Sequence, residues 1–162
     1  MGDKYSDVRL AVIEDREKVK ELTTLLHGEN GLFSISPTKV DQMLDRFYNR
    51  EGALIGVIGE VGNPVATIYL GIDQPIYTDE FALIEQWNFV HPDHRRSDYA
   101  SQLICYAKNL SDKFRLPLMV GILSNSRTEA KARLYERHLS KAGYYFIYNQ
   151  QHLSSAAPAW QG

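Results

Sequence analysis

The apolar positions along the chain change period several times, and each change predicts an element. Val8 to Ile13 is β-branched and apolar, the pattern of a first strand. Glu14 to His27 is charged but sets Val19, Leu22 and Leu26 on one helical face, with Gly28 and Gly31 expected to end it. Ser36-Pro37 is a helix-start signal, a capping serine followed by proline in the first turn. Val40, Met43, Leu44 and Phe47 then recur with helical spacing. Ala53 to Gly59 and Pro64 to Ile72 read as two strands around the turn Val61-Gly62-Asn63-Pro64. Phe81 to Val90 is a third, longer strand stopped by His91-Pro92.

A helix is expected over Asp98 to Phe114, with Ala100, Leu103, Ile104, Ala107 and Leu110 as its apolar stripe. Leu118 to Leu123 reads as a short strand covered on both faces. Thr128 to Ala142 reads as a helix closed by Gly143, and Tyr144 to Tyr148 as a last strand. The order predicts a mixed α/β domain, one sheet with helices on both faces, over residues 1–153, with 154–162 as a flexible tail. The last strand is followed by little that could pair with it, so a homodimer completing the sheet edge is one arrangement the chain allows.

Composition narrows the function classes. The 162 residues are 44% hydrophobic and 23% charged, as in a soluble globular domain, and the formal charge of -2 gives no general pull toward nucleic acid or an anionic membrane. Cys105 is the single cysteine, so no intrachain disulfide forms; a reducing cytoplasm is the expected setting. Cys105 follows Leu103 and Ile104 and reads as a small hydrophobe on a helix. His91, Asp93 and His94 lie together without a remote ligand set, so no metal site is expected.

The chemistry concentrates where the long strand ends. A polar, basic loop, His91 to Ser97, leads into a helix with the small residue Ala100 in its first turns. Helix starts leave backbone N–H groups unpaired, and these suit a phosphate. Arg95 and Arg96 add positive charge. The other reading is an ordinary solvated loop. Upstream, Glu85 lies within Leu83-Ile84-Glu85-Gln86-Trp87; strict alternation places it on the face of Trp87 and Phe89. A carboxylate among aromatics has a raised pKa and suits a general base. Equally, it could pair with an arginine or lie at a sheet edge.

The run Val-His-Pro-Asp-x-Arg-x-x-x-x-Ala-x-x-Leu-Ile, from Val90 to Ile104, resembles motif A of the GNAT superfamily of acetyl-CoA-dependent N-acetyltransferases. Arg95 matches the first position of that motif and Ala100 the last, while Asp98 stands where the middle glycine is usual and Arg96 where a further glycine is common. Asp98 brings a side chain and a negative charge, and could cap the helix instead. The helix Ala130 to Arg137 before Gly143-Tyr144 resembles the later GNAT signature Leu-Tyr-Glu-x-x-Gly-aromatic, with a longer gap: aligning on Leu-Tyr-Glu selects Tyr135, aligning on Gly143 selects Leu139.

The resemblance implies a GNAT-like acyl-CoA N-acyltransferase fold with a mostly antiparallel sheet of about six or seven strands. It implies acetyl-CoA as cosubstrate, its pantetheine arm bonded by main-chain groups of Phe89 and Val90 and its diphosphate held by Arg95, Arg96, Ser97, Asp98, Tyr99 and Ala100. Asn125 would contact the arm, or serve as a turn residue. The reaction would be direct attack of a small-molecule or peptide primary amine on the thioester, with Glu85 as base and Tyr135 as acid; Tyr135 also reads as a core tyrosine. Phe33 and Tyr48 would line the acceptor side, with Asp41, Asp45, Asp79 and Glu80 giving it an acidic surface. The alternative is a non-catalytic acyl-CoA-binding or regulatory module of the same fold.

Overall fold

The computed structural model describes residues 4–122 and 128–149. Five strands form one sheet in chain order: β1 (Val8–Leu10), β2 (Ala53–Glu60), β3 (Asn63–Asp73), β4 (Ala82–Val90) and β5 (Leu118–Met119). The first four are antiparallel neighbours, and β5 joins β4 in parallel. Four helices, α1 (Arg16–Asn30), α2 (Pro37–Tyr48), α3 (Tyr99–Phe114) and α4 (Thr128–Glu136), complete the described chain. Among the described residues, no helix is long and apolar enough to cross a membrane.

Two apolar layers flank the sheet. Val19 of α1 and Val40, Leu44 and Phe47 of α2 bury against Ala53, Ile55, Val57, Tyr69 and Trp87 on one face. Leu103, Ala107 and Leu110 of α3 bury against Ile58, Ile68, Leu70, Leu83 and Val90 on the other. Hence β2, β3 and β4 are the fully covered centre, and the end of β4 is clamped between the layers.

Several elements start where their chemistry dictates. The Ser36 hydroxyl accepts the Lys39 N–H at 3.3 Å and Pro37 opens α2, so the cap and the fixed proline φ act together. The β2–β3 hairpin turns at Val61-Gly62, with Gly62 at φ 79, a conformation that suits glycine. Beneath that turn Asp15 is fully buried, paired with Arg9 at 2.6 Å and accepting the N–H groups of Val12 and Gly62, both at 2.8 Å. One carboxylate therefore ties β1, the approach to α1 and the hairpin together.

Other expectations need correction. Of the two glycines expected to end α1, Gly31 does so, capping the helix with its N–H on His27 O, while Gly28 is carried inside it, where burial of Val19 and Leu22 offsets glycine's ~1 kcal/mol penalty. β5 is neither long nor doubly covered, since Met119 is 47% exposed at the edge of the sheet. α4 ends at Glu136 rather than Ala142. Tyr144 to Tyr148 pairs with no strand among the described residues; these side chains are exposed, Tyr148 at 91%. The sheet thus has five strands there instead of six or seven.

Candidate active site

The site is built on an irregularity in β4. Tyr69 of β3 pairs with Trp87, but the next residue, Leu70, pairs with Glu85, so Gln86 is an extra residue bulged out of the ladder. Directly opposed residues share a face, and Leu70 belongs to the α3 layer. The bulge therefore reverses the parity: Glu85 lies on the α3 face with Leu83, Asn88 and Val90, and not with Trp87 and Phe89 as alternation predicts.

Beyond the bulge the sheet opens. β4 pairs with β5 only at Leu83 and Ile84, so from Glu85 to Val90 no strand covers its outer edge among the described residues. His91 donates its N–H to Val65 at 2.8 Å. In an antiparallel ladder main-chain groups alternate in direction, so Phe89 is turned toward β3 and Val90 and Asn88 outward. Val90 thus turns its N–H to the open edge, its C=O accepting from Arg95 Nε at 3.3 Å, while the main chain of Phe89 faces β3.

A cleft of about 500 Å³ follows this edge, lined by Asn88, Phe89, Val90, the start of α3 and the inner side of α4. α4 is held over the start of α3 by Ser101 Oγ and His138 Nε2, 2.8 Å apart. Tyr135 projects from α4 and is 8% exposed; its hydroxyl donates to Glu85 Oε2 at 3.3 Å. The structure thus brings Glu85 and Tyr135 together, and it is Tyr135, not Leu139, that faces the carboxylate. Burial pushes the Glu85 carboxyl up to about 7, against the opposing pull of the Lys131 charge, the Tyr135 hydroxyl and the Gly121 N–H. Burial, together with the Glu85 charge, also raises the Tyr135 phenol well above 10, so the phenol keeps its proton.

At the other end, the 3-10 turn Pro92–His94 leads into α3. Arg95, Ser97 and Tyr99 N–H groups are taken internally, by Pro92 O at 3.4 Å, His94 O at 3.3 Å and Ser97 Oγ at 3.3 Å. Among the described residues, no acceptor takes the N–H groups of Arg96, Asp98, Ala100 or Ser101. The Asp98 carboxylate does not cap α3; its Oδ1 accepts from Gln102 Nε2 at 2.9 Å, and Gln102 in turn reaches Asp7 at 2.7 Å. Asp98 still lines the cleft and places a negative charge there. The Arg95 guanidinium pairs with Glu29 of α1, donates to Val90 O at 3.3 Å and lies 5.6 Å from the Phe89 ring centre. Arg95 thus braces the loop, while its backbone and side chain line the same cleft as Lys131 and Arg137. Arg96 is exposed on the loop, and the Tyr99 ring stacks on His94.

A second cleft of about 340 Å³ opens on the α2 face, lined by Lys39, Gln42, Met43, Arg46, Tyr69 and the bulged Gln86. Arg46 is committed to Asp73 at 2.9 Å. Phe33 and Tyr48 line neither cleft: Phe33 is 56% exposed in a loop, and the Tyr48 hydroxyl donates to Val12 O at 2.7 Å. The expected acidic surface is also reduced, because Asp41 pairs with Lys20 at 2.8 Å and Asp45 with Arg16 at 2.8 Å. Asn125 lies outside the described residues. Asn88, Ser101, Lys131 and Arg137 were not legible as cleft residues; only the bulge and the fold over of α4 bring them in.

No family model and no curated protein sequence matches the chain. Solved structures do. A ribosomal-protein-alanine N-acetyltransferase from Brucella melitensis biovar Abortus 2308 superposes with TM-score 0.67 at 18% identity, over 88% of this chain and 96% of that one. The aminoglycoside 6'-N-acetyltransferase AAC(6')-IG from Acinetobacter haemolyticus gives 0.66 at 16%, over 88% and 96%. AAC(6')-Iy, solved with a CoA-containing bisubstrate analogue, gives 0.70 at 12%, over 88% and 96%. The chain shares the fold of these N-acetyltransferases.

Proposed function

We propose that the chain transfers an acetyl group from acetyl-CoA to a primary amine by direct attack. The observation that carries this reading is the cleft-lining Tyr135, its hydroxyl 3.3 Å from the Glu85 carboxylate, in one cleft with helix-start amides that no acceptor takes among the described residues. Those amides, the helix dipole and the Arg137 charge suit a diphosphate. The open edge at Asn88 and Val90 suits an extended, amide-bearing arm between the two ends.

Glu85, whose carboxyl burial pushes up to about 7, takes a proton from the neutral amine as it attacks. The amine nitrogen bonds the thioester carbonyl carbon and the carbon–sulfur bond breaks. Tyr135 donates its proton to the departing sulfur and is resupplied by Glu85 through the bond they already share. One proton thus passes from amine to thiol and both residues return to their starting states.

The test is incubation with acetyl-CoA and a panel of amines: peptides with free N-termini, lysine peptides, aminoglycosides and simple amines. Thiol release and product mass are read together. Amine-dependent thiol release with an acetylated product supports the proposal. CoA binding without turnover on any amine overturns it in favour of a non-catalytic acyl-CoA-binding module.

A further inference from the structure

The helix that carries Tyr135 has little apolar surface to seat it. Helices shorter than about 12 residues are marginal alone and depend on packing. α4 has nine residues, and Tyr135 is the one it buries. Tyr135 lies in its last turn, and the Tyr135 C=O accepts the N–H groups of His138 at 2.9 Å and Leu139 at 2.8 Å, which closes the helix. The His138 ring then reaches across to α3, with Nε2 2.8 Å from Ser101 Oγ. His138 thus ties the end of α4 to the start of α3 one helical turn beyond Tyr135.

This tie and the Tyr135–Glu85 contact differ in strength. At 3.3 Å the Tyr135–Glu85 bond is long for a hydroxyl on a carboxylate, so it does not by itself fix where α4 lies. The Ser101–His138 bond is of ordinary length. Burial, with the positive charges of Lys108, Arg137 and Lys4, holds the His138 ring below its ordinary 6.5, so the ring is neutral at pH 7. A neutral imidazole has one N–H and one bare nitrogen, and a serine hydroxyl pairs with either. Ser101 lines the cleft and His138 does not, so the bond is made behind the cleft wall.

We propose that Ser101 and His138 are positioning residues, whose hydrogen bond seats α4 on the start of α3 and thereby keeps the Tyr135 hydroxyl on the Glu85 carboxylate. This rests on the reading of Glu85 and Tyr135 as base and acid above. Without the bond the end of α4 loses this tie to α3, and the long Tyr135–Glu85 contact lengthens further. The consequence can be read at Glu85 itself. The Tyr135 hydroxyl pulls the Glu85 carboxyl down against the effect of burial, so loosening that contact lets the carboxyl titrate higher.

The experiment follows the Glu85 side-chain carboxyl by carbon NMR through a pH titration of the full chain and of its Ser101→Ala, Ser101→Thr and His138→Phe variants. Ser101→Ala keeps the imidazole and His138→Phe keeps a ring, so a change common to both belongs to the bond. Both should raise the Glu85 midpoint by about 0.5 pH unit, and Ser101→Thr, which retains the hydroxyl, should restore it. Both should lower kcat for acetyl transfer about three- to tenfold, and neither should lower it further in a Tyr135→Phe background. A Glu85 midpoint unmoved in both variants overturns the proposal, as does a kcat loss that persists in full beside Tyr135→Phe. Failure of both variants to fold overturns it too, by giving the pair a role in the whole domain. The titration needs no substrate. If wild type transfers no acetyl group, the reading of the site falls while the midpoints still decide this inference; if wild type turns over and the variants titrate as it does, only this inference falls.

Discussion

Glu85→Gln tests the electrostatics of the site without reference to any substrate. The Glu85 carboxyl titrates near 7 instead of its ordinary 4.5, chiefly because burial disfavours its charge. Between those two pH values the native protein holds a proton that the unfolded chain has released. The native state then binds more protons, so stability falls as pH rises from 4.5 and levels off above 7. The gap from 4.5 to about 7, at about 1.36 kcal/mol per pH unit, comes to about 3 kcal/mol of native-state cost at pH 8. Glutamine keeps the shape and removes the charge, so the variant escapes this cost. For a domain of this size about 3 kcal/mol corresponds to about 6–12 °C in Tm. Thermal melts of both proteins at pH 4.5 and pH 8 check it. The Tm advantage of the variant should grow by that amount between the two pH values, and lost hydrogen bonds to Tyr135 or Gly121 cancel in the comparison. A Tm difference independent of pH, or one that grows toward acid, refutes the reasoning. The same carboxylate as base predicts activity rising with pH through an apparent pKa near 7, and a 10²–10⁴-fold lower kcat in the variant.

Three further outcomes follow from the geometry. Tyr135→Phe should lower kcat about 10–100-fold with CoA affinity unchanged, and should move the acid limb of the pH–rate profile upward, because the Tyr135 hydroxyl helps hold the Glu85 pKa down. Asp98→Asn keeps an oxygen to accept from Gln102 but removes a negative charge from the cleft wall, so calorimetry at low salt should show CoA binding several-fold tighter, with the gain fading as salt screens it. Leu103→Ala, at a fully buried position between α3 and the sheet, should cost about 2–5 kcal/mol in denaturant unfolding.

Much of the frame is visible in the chain because it is local. Ser36-Pro37 starts α2, the apolar stripe from Ala100 to Leu110 makes α3, and the hairpin forms where Gly62 permits its turn. The failures are non-local. Nothing in Leu83 to Val90 marks Gln86 as a bulge; that depends on how β3 registers against it, and it moves Glu85 to the opposite face from the one alternation gives. Glu85 and Tyr135 each stood out as ionisable groups in apolar surroundings, but only the 50-residue return of α4 shows that they touch. Asp15 reads as one more charge at a helix start, yet it is buried because Arg9 and the distant Gly62 amide supply its partners. Phe33 and Tyr48 suit an acceptor wall by residue type alone, and residue type does not say that the Tyr48 hydroxyl is already taken by Val12.

The central claim is that the uncommitted backbone amides at the start of α3 grip the diphosphate of CoA. Amide NMR shifts followed during titration with CoA test it residue by residue. The account predicts saturable shifts at Arg96, Asp98, Ala100 and Ser101, reproduced by 3′-phosphoadenosine 5′-diphosphate, with the internally bonded Arg95 and Tyr99 amides moving less. Saturating CoA that leaves those four amides unmoved, or no binding at millimolar CoA, contradicts it.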